Sequence, residues 1–334
     1  MKRLLACFLA LSLLTGCSAG KNADKKVKIG VTVYDSYDTF ISELMTNFNA
    51  DVTSRENITI ETYNANKSQT SQNKQVEDMI NDGCDVICVN LVDRTAPKKI
   101  IDLARKNNVP IIFFNRELVE EDLQQWEGLY YVGADAEESG VMEGEIAADA
   151  CKQDGADKNG DGMIQYIVLE GEAGHQDAIV RTEKSVNTLI QDGLSVDKIT
   201  SAIANWNRSQ AQTKMAQYIT QYGSSIELVL GNNDDMSLGA IDAYKAAEID
   251  QSDWPVIVGI DGTKAGLQAV ENHEMVGTVY NDQKGQATAM ANLAYALATG
   301  GSLDDLGLTD GKYIWLPYQK VTQDNVSDYL SDMQ

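Results

Sequence analysis

VKIGVTVYDSYDTFISELMTNFNAD, residues 27–51, changes its hydrophobic period partway along. The first eight residues form a short apolar run rich in β-branched side chains, and residues 39–51 space their apolar positions as one face of a helix. The unit recurs. Further strand-like runs are ITIETYNA (58–65), DVICVNL (85–91), PIIFFN (110–115) and YYVG (130–133), with helix-like segments at 68–82 and 96–107 between them. After Asp135 the cycle restarts with MIQYIVLEG (163–171), ITSAIANW (199–206), IELVLGNN (226–233), PVIVGID (255–261) and MVGTVYND (275–282). Strand, helix, strand at this spacing predicts a parallel sheet with helices on both faces. Two such runs predict an α/β protein of two Rossmann-like, doubly wound lobes, with residues 131–135 as the first crossing between them.

Composition narrows the function. The 334 residues carry 27 Lys and Arg against 50 Asp and Glu, a net charge of −23. Nucleic-acid proteins need a basic surface that displaces counterions, so a nucleic-acid partner is excluded, as is attraction to an anionic membrane surface. At 43% hydrophobic residues the chain is that of an ordinary globular protein.

Residues 1–16 read as a signal peptide: Lys2 and Arg3 precede an apolar stretch, 4–14, that is too short for a lasting membrane span. Leu14-Thr15-Gly16-Cys17 resembles a bacterial lipobox, which implies that Cys17 becomes the lipidated first residue. The protein is then exported, touches the membrane through its lipid anchor only, and has 17–26 as a tether. Export leaves 25 cations against 50 acids, a charge of −25. Of the remaining cysteines, Cys84 and Cys88 flank three residues of an apparent strand, roughly 13 Å apart and too far for a disulfide. With Cys151 they are expected as small core residues.

Polar side chains collect at or just beyond the carboxyl ends of the expected strands: Tyr34 and Asp38, Asn115, His175, Asp177 and Arg181, then Asn233, Asp261 and Asn281, with Trp206 among them. Ligands of open α/β sheets bind along that rim. Singly, Asp38, Asp177 or Asn233 also reads as a helix cap, and Phe40 as a core residue of the first helix. Together they offer acceptors (Asp38, Asp177, Asp261), donors (His175, Arg181) and groups that do both (Asn115, Asn233, Asn281). That mixture suits a small polyhydroxylated ligand, whose apolar C–H faces Phe40 and Trp206 would cover.

The motifs IGVTVYDSYDTF, NLVD, FFNRE, YYVGAD, GEAGHQDAIVRT, NNDDMSLGA, VGIDGTKAG and GTVYND make the chain similar to the periplasmic galactose/glucose-binding proteins of bacterial ABC transport systems, from about Lys28 onward. The resemblance implies the type I periplasmic binding protein fold and a monomer that hands glucose or galactose to an ABC permease; a chemoreceptor is a further partner. It implies three hinge crossings, near 132–135, 278–282 and 312–317, dividing 27–132 plus 282–314 from 133–281 plus 315–334. It also places sugar contacts on Tyr34, Asp38, Phe40, Asn115, His175, Asp177, Arg181, Trp206, Asn233, Asp261 and Asn281. Another monosaccharide, such as a pentose, is the alternative ligand.

Asp157-Lys158-Asn159-Gly160-Asp161-Gly162 is D-x-N-x-D-G, the first half of a calcium loop. Met163 can add its carbonyl and Gln165 its side-chain oxygen. Val168 stands where an EF-hand has a bidentate glutamate, so the missing carboxylate comes from Glu170, Glu172 or Glu227. The family resemblance selects Glu227 and implies a structural calcium ion.

Enzyme readings fare worse. Three rim aspartates admit a carbohydrate hydrolase, but the surplus of amides and Arg181 fits recognition of a neutral sugar better than a general acid held protonated. No G-x-S-x-G elbow and no G-x-x-x-x-G-K-[ST] phosphate loop occurs. A repressor sharing this fold is excluded by acidity, export and the lack of a helix-turn-helix before residue 27.

Overall fold

Apart from Lys28, every residue of β1 (Val27–Val33) is fully buried, and a strand apolar along its length needs cover on both faces. The computed structural model, which describes residues 26–333, supplies that cover with helices. α1 (Thr39–Thr53) turns Phe40, Ile41, Leu44, Phe48 and Val52 inward. The first run continues through β2 (Ile58–Asn64), α2 (Gln69–Asn81), β3 (Val86–Val89), α3 (Lys98–Asn107), β4 (Ile111–Phe114), α4 (Glu120–Leu123) and β5 (Leu129–Gly133). The second comprises α5 (Ala136–Cys151), β6 (Ile164–Glu170), α6 (Gln176–Gln191), β7 (Val196–Ile203), α7 (Arg208–Tyr222), β8 (Leu228–Gly231), α8 (Asp234–Ala246), β9 (Val256–Asp261), α9 (Lys264–Glu271) and β10 (Gly277–Asn281). The chain ends with α10 (Gln283–Thr299), β11 (Tyr313–Trp315), β12 (Tyr318–Thr322) and α11 (Val326–Asp332).

Each lobe is built on a six-stranded sheet, ordered β11-β5-β4-β3-β1-β2 in the first and β12-β10-β9-β8-β6-β7 in the second. This is the two-lobed α/β architecture the sequence predicts. The chain changes lobe between β5 and α5, between β10 and α10, and between β11 and β12. α10 returns to the first lobe by burying Ala287, Met290, Ala291 and Leu293 in one core with β1 and α1. Gly133 and Trp315 still pair with each other in the first sheet, one residue past the boundary read from the sequence. Neither β11 nor β12 is among the expected strands. β11 has only three residues, and β12 runs antiparallel to β10, so no crossover helix leads into β12.

The signal peptide 1–16, Cys17 and all of the tether but Lys26 lie outside the described residues. Among those described, no helix is long and apolar enough to cross a membrane. Cys84, Cys88 and Cys151 are buried free thiols. Cys84 precedes β3 instead of lying in it, and its Sγ donates to Glu61 at 3.2 Å.

Candidate functional site: a cleft between the lobes

Strand ends and helix starts of both lobes meet across one cleft. Its cavity is lined by Tyr34, Asp38, Phe40, Asn115 and Arg116 from the first lobe and by His175, Asp177, Arg181, Trp206, Asn233 and Asp261 from the second. Ten of the eleven candidate contact residues therefore share one cavity. Asn281 does not line it: at the end of β10 it is buried, and its carboxamide oxygen accepts from Gln286 Nε2 at 2.6 Å. Arg116 takes part without having been picked out, although it stands next to Asn115 in the FFNRE motif. An arginine on a loop reads as solvated, whereas this one is 4% exposed.

The cap and rim readings turn out to be compatible. Asp38 Oδ1 accepts from the Ile41 N–H at the start of α1, and its Oδ2 accepts from the Tyr34 hydroxyl at 2.6 Å. Asn233 Oδ1 caps α8 by accepting from Met236 N, which leaves the amide nitrogen to donate. His175 caps α6 through Nδ1, which accepts from Asp177 N, so its proton belongs on Nε2. Burial holds this imidazole down to about 4, against the opposing charge of Asp177. It is thus a neutral donor at physiological pH.

Arg181 is fixed on three sides: Nε donates to Ser139 Oγ, and the two terminal nitrogens donate to the Asn232 carbonyl and the Tyr318 hydroxyl. Asp177 and Asp261 lie 3.6 and 3.8 Å from it. Burial works against its charge, but Tyr318, Asp177 and Asp261 more than offset that and raise its pKa. Asp261 is pushed well above the ordinary carboxylate range by burial, with Arg181 opposing. Burial likewise raises Asp38, against its bonds from Tyr34 and Ile41 N.

Strain marks the same residues. Asn115, Trp206 and Asp261 hold φ of 60°, 60° and 120°, which non-glycine residues rarely adopt. Strained backbone persists where its surroundings over-determine it, commonly at ligand sites. Here the surroundings are visible: Tyr131 donates its hydroxyl to the Asn115 carbonyl, and Asn90 Nδ2 donates to Asn115 Oδ1. The Trp206 ring packs edge-on to His175 at 5.2 Å and lies so close to Gly171 that a Cβ there would meet the indole at 2.1 Å. Phe40 serves both expected roles, lining the cavity while packing into the first-lobe core.

Some distance away, the 157–165 loop curls through Asx turns: Asp157 accepts from Gly160 N and Gly162 N, Asn159 from Asp161 N, and Asp161 from Met163 N. Asn159 and Asp161 both bond Gln165, which brings loop positions three, five and nine together. Glu227, 1% exposed, reaches the loop by accepting from Lys158 N and Gln165 N, while the Lys158 ammonium turns away to the Asp253 carbonyl. Among the described residues, no group of three or more His, Cys, Asp and Glu is arranged as a metal cluster. Beside its carboxylates the loop offers amide and carbonyl oxygens, the donor chemistry of a hard cation.

A periplasmic binding protein domain matches residues 29–302. The D-galactose/methyl-galactoside binding periplasmic protein of Haemophilus influenzae is 33% identical over 322 residues, 95% of each chain. A xylitol-binding protein of Mycolicibacterium smegmatis is 32% identical over 94% of this chain and 82% of its own. An ABC transporter solute binding protein from Bacillus halodurans, solved with myo-inositol, superposes with a TM-score of 0.78 at 26% identity, covering 93% of this chain and 99% of that one. The chain belongs to the periplasmic binding protein family, with the type I fold of ABC-transport sugar receptors, a family whose members bind a solute and do not transform it.

Proposed function

We propose that this protein is an extracytoplasmic receptor that closes on one D-galactose or D-glucose molecule and delivers it to an ABC permease. The observation that carries the reading is the pairing, in one cavity, of three aspartates with a neutral imidazole, two guanidinium groups, two carboxamides and the rings of Tyr34, Phe40 and Trp206. Such a set satisfies hydroxyls in both directions and covers the apolar faces of a pyranose. A ligand lacking one hydroxyl leaves a buried group unpaired, at about 1–3 kcal/mol, which is the source of selectivity. The preference for galactose rests on the Haemophilus relative, the similarity of which extends over nearly all of both chains, and glucose on the resemblance of the sequence motifs. A polyol is the competing ligand, on the strength of the xylitol-binding relative.

Calcium belongs to the same proposal. Asp157, Asn159, Asp161, Gln165 and Glu227 would hold the ion with the Met163 carbonyl, and the ion would brace the second lobe. The lipobox-like sequence ending at Cys17 supports an anchored receptor, and Cys17→Ser is expected to move the protein from the membrane fraction to the soluble one.

The ligand test is intrinsic tryptophan fluorescence of the calcium-loaded protein titrated with galactose, glucose, ribose, xylitol and myo-inositol, because Trp206 lines the cavity. Saturable changes at the lowest concentrations for galactose or glucose are expected. Tightest binding of xylitol or myo-inositol would reassign the ligand, and no response to any of the five would overturn the reading.

A further inference from the structure

The ligand cavity and a second, outer groove share two lining residues, Tyr34 and Arg116. The outer groove also includes Lys67, Glu172, Asn205 and Gln210. Tyr34 and Arg116 thus form the partition between the ligand site and the mouth of the cleft. Arg116 lies flat on Tyr34, its guanidinium carbon 3.5 Å from the ring centre, an arrangement suited to cation–π attraction. One terminal nitrogen donates to the Val92 carbonyl at 2.9 Å within the first lobe, and the other crosses the cleft to Glu172 Oε2 at 2.9 Å.

Glu172 belongs to the second lobe, on the turn after β6 that carries His175, whose backbone N–H donates to the Glu172 carbonyl at 3.0 Å. Its other carboxylate oxygen lies 3.5 Å from Lys67 Nζ, and Lys67 is also 3.5 Å from Asp35. Arg116–Glu172 and Lys67–Glu172, the ion pairs that bridge the lobes among the described residues, therefore end on one carboxylate. Other bonds across the cleft, away from the hinge strands, are single hydrogen bonds, among them those from Thr39 to Asp235, Gln176 to Glu117, and Lys264 N to Glu43. Opening the cleft must part Glu172 from both cations while Arg116 is largely shielded from water.

We propose that Glu172, gripped by Arg116 and Lys67, is the latch of the closed cleft and sets how slowly ligand leaves. Glu172 is a positioning residue: it lines the outer groove and not the ligand cavity, and it acts by holding Arg116 and Tyr34 across the exit. The proposal rests on the reading of the inner cavity as the ligand site. Breaking one partner of a shielded charge pair acts mainly on dissociation, so the variants should separate the two rates.

The test uses Glu172→Gln, Lys67→Met and the double variant of the full mature chain, with stopped-flow association and chase-driven dissociation of the best-binding sugar. Glu172→Gln should raise koff about tenfold and change kon less than about twofold. Lys67→Met should raise koff less, and the double variant should be no faster than Glu172→Gln, because Lys67 acts through Glu172. An unchanged koff, or a loss of affinity that falls on kon, would overturn the latch. Lys67→Met keeps the test available if Glu172→Gln does not fold. A second readout needs no sugar: fluorophores on the outer faces of the two lobes report the closed fraction, which Glu172→Gln should lower. If wild type binds no sugar, the ligand reading fails while this second readout still decides the latch; an unchanged closed fraction counts against it.

Discussion

Glu143 is the least expected side chain in the molecule. It sits on α5 with no exposed surface, and among the described residues neither carboxylate oxygen makes a well-formed hydrogen bond, the nearest help being the Ser185 side chain. Burial raises its pKa well above the usual value, with the nearby Arg181 charge opposing. Between its unfolded and folded pKa values the folded state keeps a proton that the unfolded state has lost, so this group's contribution to stability falls as pH rises through that window. Glu143→Gln should therefore raise the melting temperature at pH 7 and flatten its decline above about pH 5, measured by calorimetry. A lower melting temperature at pH 7 would show that the carboxylate is needed charged. Nothing in the sequence singled out Glu143, because one acid on an amphipathic helix reads as surface. Arg116 was passed over for the same reason, and Asn281 was included because a strand-end amide looks alike whether it faces a cavity or a neighbouring glutamine.

At the level of elements, the site depends on how closely α5 and α6 approach, since α6 carries Asp177 and Arg181. A Cβ at Gly144 would meet the Ser185 carbonyl oxygen and Thr188 Cβ at 2.6 Å, so only glycine fits without moving a helix. Gly144→Ala is expected to cost about 1–3 kcal/mol in a denaturant titration and to weaken ligand binding by displacing α6. Unchanged stability and affinity would mean that the helices separate freely. The calcium loop makes its own prediction: chelation should lower the melting temperature, calcium should restore it, and Glu227→Gln should abolish the difference. A melting temperature indifferent to chelator would remove the ion from the account. Helix starts were well legible in the sequence: Asp38, Ser68 and Asn233 each cap through a side-chain oxygen. The short strands β11 and β12 were not, because three to five residues leave too little periodicity to read.

For the whole molecule, the twice-repeated alternation of strand and helix made the two lobes legible, and the placement of polar residues at strand ends made most of the cleft legible as well. What no sequence pattern could supply was the pairing across the cleft: which loop of one lobe faces which loop of the other. That pairing turns two half-sites into one cavity, and it is where Arg116 meets Glu172. The acidity that excludes nucleic acid divides accordingly. Asp38, Asp177 and Asp261 face the cavity, Asp157, Asp161 and Glu227 meet around one loop, and Glu172 bridges the lobes.

The central claim is that a sugar is held in the cavity by groups of both lobes. It is tested most directly by calorimetric titration of wild type and Asp261→Ala with galactose and glucose, alongside their melting curves. Wild type should bind one sugar per chain, and Asp261→Ala should bind it about tenfold or more weakly, a loss of about 1.4 kcal/mol or more, while remaining folded. Equal affinity in a folded Asp261→Ala protein, or no heat from wild type with either sugar, would contradict it.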